Sequence, residues 1–201
     1  MAPTPDPSRR SAASRRAVLD AALELVQEVP YARLSIEGIA ARARVGKQTI
    51  YRWWPSKAAI LLDAFLALSE GDDGQAPVLP DTGDLVADLR LVLRATVAEL
   101  TDPRLDAPMR ALAAEAVHDA TVAELYRDRL DGPLRDAKRQ RLRSAQEAGQ
   151  LAADVDLDVA VDLVWGPVLS RWLHRSGPLT EEFADQVLDA ALDGLRARPG
   201  R

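Results

Sequence analysis

Residues 34–57 read LSIEGIAARARVGKQTIYRWWPSK, and the reading of this stretch decides the architecture. Ser35 stands where an N-cap accepts the amide three residues on, although Gly38 replaces the Glu that would complete a capping box. Ile36, Ile39 and Ala40 then fall on one side of a helix of about two turns. Val45 and Gly46 interrupt it, and a second short helix, Lys47 to Trp53, runs until Pro55 stops it. Two short helices around a tight turn form a helix-turn-helix, running from about Leu34 to Lys57. Ala40 is small where the helices must cross, and Val45 and Ile50 are apolar where the second must be anchored. Lys47, Gln48 and Arg52 project from the opposite face.

That face has the chemistry of a base reader. Lys, Gln and Arg present donors suited to guanine O6/N7 or adenine N6/N7, each good bidentate contact giving ~1–3 kcal/mol of discrimination. Thr49, Tyr51 and Lys57 place a hydroxyl, a phenol and an ammonium around the same helix, the groups that hold phosphates and fix register. Ser35 adds a helix N-terminus, Arg33 and Arg44 reinforce it, and Trp53 closes the helix against a phosphate backbone. Alone, each of these residues also reads as an unpartnered polar side chain in solvent, Arg33 and Arg44 most readily; their grouping carries the inference.

Working outward, residues 8–57 hold ten positive and four negative side chains, a net +6 inside a chain of −5, so the remainder carries −11. A cationic quarter on an acidic body suits a nucleic-acid module joined to a separate effector body, although a solvated charged face has the same composition. Residues 1–13, rich in Pro and polar residues, read as a disordered arm, with order beginning near Ser14. Val18, Leu19, Ala22, Leu25, Val26 and Val29 then form a helical stripe that Pro30 ends. Ser56 caps a long helix carrying Ile60, Leu61, Ala64, Phe65 and Leu68. The domain reading is an arm at 1–13, a DNA-binding domain at 14–57 and a helical effector-binding and dimerisation domain at 58–201.

Beyond the loop at 71–83 every periodic segment is helical: Leu85–Leu100, about Leu105–His118, Thr121–Gly149, Leu157–Ser176 and Thr180–Arg198. With the N-terminal four, the expectation is an all-α fold of about nine helices. The last two carry more apolar surface than one neighbour would cover, so Val164, Val168, Phe183, Val187, Leu188 and Ala191 are candidates for a two-fold interface as well as for core. Met109, His118, Tyr126, Trp165 and Trp172 are larger or polar-tipped side chains in an Ala/Leu/Val interior, the kind that line small-molecule pockets. Gly166-Pro167, between the two tryptophans, interrupts the backbone ladder and would open space there.

Cysteine is absent and the two histidines, His118 and His174, lie far apart, so no metal site and no cofactor are expected. Membrane spans are excluded by the lack of any apolar run near ~20 residues, and the N-terminus lacks a secretory apolar region, which points to the cytoplasm.

The stretch LSIEGIAARARVGKQTIYRWWPSKAAIL resembles the DNA-binding signature of the TetR family of bacterial regulators. The resemblance extends over about residues 15–65; the remaining ~135 residues agree with that family's effector domain in length and helix count. It implies a homodimer that binds a pseudo-palindromic double-stranded operator as a repressor and leaves it when a small molecule binds the C-terminal domain. By position Thr49, Tyr51 and Lys57 resemble the family's phosphate clamps, and Lys47, Gln48 and Arg52 lie on its recognition helix. Two departures stand out. Arg44 occupies the turn position where the family has Gly, so either the turn differs or a left-handed strain of about 1 kcal/mol is carried. Trp53-Trp54 replaces smaller aromatics, with Trp54 read as core. A helical-bundle enzyme lacks a recognisable nucleophile and base pair, and an interaction adaptor would leave the N-terminal pattern without a role.

Overall fold

The computed structural model describes residues 7–69 and 77–195, and among these residues every regular element is helical. The helices are α1 (Pro7–Glu28), α2 (Ile36–Ala43), α3 (Lys47–Tyr51), α4 (Lys57–Ser69), α5 (Leu85–Thr101), α6 (Pro103–Ala116), α7 (Ala120–Tyr126), α8 (Gly132–Glu147), α9 (Leu157–His174) and α10 (Glu181–Leu195). A 3-10 turn, Tyr31–Arg33, precedes α2, and a π-helical segment, Arg127–Asp131, joins α7 to α8 without a loop. Counted as one run, α7, the π segment and α8 correspond to the single helix expected from Thr121 to Gly149, and the described helices then number nine. The chain is thus all-α with an N-terminal helix-turn-helix.

Some boundaries moved. α1 begins at Pro7, not near Ser14, so residues 7–13 of the expected arm are helical; residues 1–6 lie outside the described residues. Proline is well placed at a first helical position, where its missing N–H would have no helical partner, and the Ala and Arg residues that follow propagate the helix. α3 stops at Tyr51, two residues short of Trp53. Gly166-Pro167 does not break α9, which runs through Pro167 to His174. Of the expected loop at 71–83, residues 71–76 lie outside the described residues.

The helices pack as two compact units. In one, α1–α4 join with α6 and α7. α1 buries Val18, Leu19, Ala22 and Val26 where α2, α4 and α6 meet it. α4 is covered on nearly every side, with Ala58, Ala59, Ile60, Leu61, Leu62, Ala64 and Phe65 all buried, because α1, α6 and α7 all pack on it. Each such large side chain contributes about 1.5–3 kcal/mol relative to exposure. Caps fall as expected: Ser35 Oγ accepts from the Gly38 amide at 3.1 Å, and Ser56 Oγ from Ala59 at 3.2 Å.

In the other unit α5 lays Leu85, Leu89, Leu93, Val97 and Leu100 along one face against α10 and α9, and α8 packs on α9. Ion pairs staple the helices at the rim: Arg94 Nη2 to Asp185 at 2.6 Å between α5 and α10, and Arg135 Nη2 to Asp162 at 2.7 Å between α8 and α9. Inside lies a buried pair, Asp88 with Arg141 at 2.8 Å. No described helix is long and apolar enough to cross a membrane, and the described residues hold no cluster of side chains arranged to bind a metal ion.

Candidate nucleic-acid interface

The first short helix is docked on α1 by a fork. Arg42 Nη2 donates to Glu28 at 2.6 Å and its Nη1 to Glu24 at 3.0 Å, which holds the Glu28 carboxyl below the usual carboxylate range. Ile39 and Ala40 are buried beneath it, Ala40 giving the close approach the crossing needs. At its end Arg44 adopts φ 56°, ψ 41°, so the turn carries the left-handed residue at a non-glycine position. The Val45 amide reaches back to the Ala40 carbonyl at 3.0 Å and the Arg44 amide to Ala41 at 3.3 Å, satisfying the carbonyls the helix leaves open.

From that turn α3 emerges with Ile50 fully buried. Lys47, Gln48, Tyr51 and Arg52, at successive and four-residue spacings, share the exposed face opposite Ile50. Thr49 is half-buried beside them. Arg52 stacks on Trp53, 5.0 Å from the ring centroid, and Trp53 packs edge-on against Trp54 at 5.4 Å. Trp54 is core, as read from the sequence, and its indole N–H donates to Asp63 at 2.7 Å, an acceptor shared with Arg15. Arg33 and Ser35 lie exposed at the start of α2.

Lys47 and Lys57 have partners that periodicity did not reveal. Lys47 Nζ donates to Glu37 at 2.7 Å, and this bond keeps the Glu37 carboxyl below its ordinary range. The Lys47 side chain is thereby aligned by an acid on the helix before it; opposite charges on either side of the turn were the available signal. Lys57, half-buried, donates to the carbonyls of Tyr31 at 2.8 Å and Leu34 at 3.1 Å, with its ammonium 4.1 Å from the Tyr31 ring centroid. Two of its three donors tie the 3-10 turn to the start of α4. Burial, reinforced by Glu115 and Asp119, pushes the Tyr31 phenol up to about 12, so it stays neutral.

Residues 18–64 match the family described as bacterial regulatory proteins, tetR family, and residues 79–191 match the tetracyclin repressor-like C-terminal domain. The HTH-type transcriptional regulator YdeS of Bacillus subtilis (strain 168) is 32% identical over 94% of this chain and 92% of its own length. The chain belongs to the TetR family. A second relative of this TetR-family chain, the DNA-binding transcriptional repressor TetR of Mycobacteroides abscessus, is 31% identical over 92% of this chain and 94% of its own. The crystal structure of the TetR family transcription regulator SCO0332 superimposes with a TM-score of 0.71 at 36% identity, covering 92% of this chain and 99% of that one. The protein is therefore a DNA-binding transcriptional regulator, and α3 is the second helix of its helix-turn-helix.

The remaining candidates of this TetR-family regulator distribute between the two units. In the first, Tyr126 donates its hydroxyl to Met109 Sδ at 3.8 Å, bringing two of the pocket candidates together, while His118 is exposed just past the end of α6. In the second, Trp165 and Trp172 are both buried along α9. The interface candidates separate: Val164, Val168 and Leu188 are fully buried in their own unit's core, whereas Phe183, Val187 and Ala191 are partly exposed on α10. Of the two roles open to them in the sequence, the first three take that of core. The apolar residues that α9 does expose are Val159, Leu163, Leu169 and Leu173.

Proposed function

We propose that this TetR-family regulator is a cytoplasmic, non-enzymatic homodimeric repressor. It reads a pseudo-palindromic operator in double-stranded DNA with residues 14–57 and releases it when a small-molecule effector binds within residues 58–201. The observation that supports the reading best is the exposed quartet Lys47, Gln48, Tyr51 and Arg52, held to one side of α3 by the buried Ile50. Lys47, Gln48 and Arg52 take the base edges; Thr49, Tyr51, Trp53, Lys57, Arg33, Ser35 and Arg44 take the phosphates. The repressor sense follows the name of the Mycobacteroides abscessus relative. Two copies would meet along Val159, Leu163, Leu169 and Leu173 of α9, flanked by Phe183, Val187 and Ala191 of α10, and set two α3 helices ~34–36 Å apart, one turn of DNA. Trp165 and Trp172, buried along α9 in the second unit, supply the side-chain chemistry for the effector.

Gel shift and footprinting on the gene's own upstream region test this. The purified protein should protect a two-fold site with an affinity that falls steeply with salt. Lys47→Ala and Gln48→Ala should relax preference at particular base pairs, each by about 1–3 kcal/mol. Lys57→Ala should weaken binding to every sequence alike. Equal losses on all sequences from all three variants would refute the division of roles, and the absence of any sequence-selective binding would refute the function.

A further inference from the structure

Trp165 is 2% exposed on α9, yet its indole N–H has no hydrogen-bond partner. An indole nitrogen can only donate, and leaving a buried donor unmet costs about 1–3 kcal/mol. α8 sets a second donor beside it: the Lys138 ammonium lies 4.9 Å from the Trp165 ring centroid. On the same helix Arg135 pairs with Asp162, Arg139 with Asp158 and Arg141 with Asp88, whereas Lys138 makes no ion pair among the described residues. Burial pushes its ammonium below the ordinary lysine range, Arg135 adding to the effect while Asp131 and Asp162 oppose it.

An ammonium over the face of the Trp165 ring and an unmet indole N–H on the same ring, with no protein acceptor for either, are complementary to an acceptor, and a charged one gains most in a partly desolvated setting. The positions of α9 around Trp165, namely Val161, Val164, Val168 and Trp172, are buried and apolar, so they favour a hydrocarbon body behind that head group. We infer that Trp165 and Lys138 form a subsite for the carboxylate of an apolar organic acid, which makes the effector class an aromatic or aliphatic carboxylic acid. The carboxylate accepts one hydrogen bond from Lys138 Nζ and one from Trp165 Nε1 while its hydrocarbon lies along α9. This rests on the reading of residues 58–201 as the effector domain and adds the chemistry of the effector to it.

Calorimetric titration of the full-length protein with 2-naphthoate and with its uncharged isostere 2-naphthamide tests the assignment. The wild type should bind naphthoate about ten-fold tighter than naphthamide, the difference expected for one charge-assisted hydrogen bond. Lys138→Gln, on a partly exposed side chain, should remove that preference, bringing naphthoate and naphthamide to similar affinity. Trp165→Phe, which keeps the apolar ring and deletes the donor, should weaken naphthoate about five-fold or more. An unchanged preference in Lys138→Gln, a wild type that favours naphthamide, or no saturable binding of naphthoate at millimolar concentration overturns the proposal. Operator gel shifts of the same variants separate it from the functional reading. If Lys138→Gln binds the operator normally and naphthoate binding is unaltered, only the subsite falls; if the wild type binds no operator, the functional reading falls.

Discussion

Arg44 and Arg175 are the non-glycine residues with positive φ among the described residues, at 56° and 51°, and each follows the last turn of a helix. The same pair of reach-back amides occurs at both: Val45 to Ala40 and Arg44 to Ala41 after α2, Ser176 to Arg171 and Arg175 to Trp172 after α9. The two arginines therefore hold the position where glycine avoids the steric cost of a Cβ, about 1–2 kcal/mol. The turn of the helix-turn-helix keeps its geometry and Arg44 bears the strain, which decides between the two alternatives left open by the sequence. Arg44→Gly and Arg175→Gly should each stabilise the protein by about 0.5–1 kcal/mol in chemical denaturation. Only Arg44→Gly should also weaken DNA binding, equally for operator and random sequence, because it removes a guanidinium that the proposed function assigns to the phosphates. A loss of stability in either variant would contradict the strain argument.

At the scale of elements, the π-helical segment Arg127–Asp131 brings the Arg127 carbonyl to Gly132, where a Cβ would sit 2.9 Å from that oxygen. The obstacle is backbone and cannot swing aside. Gly132→Ala should destabilise the protein by about 1–3 kcal/mol, although alanine favours a helix interior everywhere else. Thermal unfolding checks the sign, and a stabilised variant would show that the wide turn relaxes freely. The Asp88–Arg141 pair anchors the segment before α5 to α8: Asp88 accepts from the Thr82 amide at 3.0 Å and hydroxyl at 2.8 Å, and Arg141 Nε donates to the Pro80 carbonyl at 2.9 Å. Burial alone would raise the Asp88 carboxyl, but Thr82 and Arg141 together hold it below its ordinary 3.8. Arg141→Met leaves a buried carboxylate unpaired and should cost about 3–5 kcal/mol near neutral pH. Since the folded-state value is depressed, the stabilisation is complete above the unfolded value and is lost as pH falls through the folded one. The gap between wild type and Arg141→Met should accordingly shrink below about pH 4. A gap independent of pH would place the cost elsewhere than the charge pair.

For the whole molecule the question is how a helix can serve two partners. α9 uses Ala160, Val161, Val164, Trp165, Val168 and Trp172 for its own core and still exposes Val159, Leu163, Leu169 and Leu173. Gly166 lies along that outer side with nothing within 4 Å of where a Cβ would be, which leaves room for a second backbone to approach. Leu163→Asp should therefore convert dimer to monomer in sedimentation velocity, without unfolding the chain, and weaken operator binding more than half-site binding. A dimer that persists in Leu163→Asp would move the two-fold axis to another face. The charges are also unevenly placed. Arg42 is tied up with Glu24 and Glu28 against α1, so the unpaired positive charge concentrates toward α3 and the turn before it.

Residue order alone determined what is local. The presence and order of the helices, the Ser35 and Ser56 caps, the crossing at Ala40, the anchoring Ile50, the odd turn residue Arg44 and the buried Trp54 all follow from spacing and from the conformational limits of single residues, although several helix ends moved. Tertiary structure decided what depends on which neighbour covers a face. Val164, Val168 and Leu188 share a stripe with side chains that stay outside, and a helical period gives the angle of a face without saying what lies against it. The same limit hid the Glu37 partner of Lys47, the carbonyls that hold Lys57 and the meeting of Trp165 with Lys138. Opposite charges across the turn hinted at the first, but the others join segments whose separation in sequence carries no signal, and all exist because packing brings particular helices together.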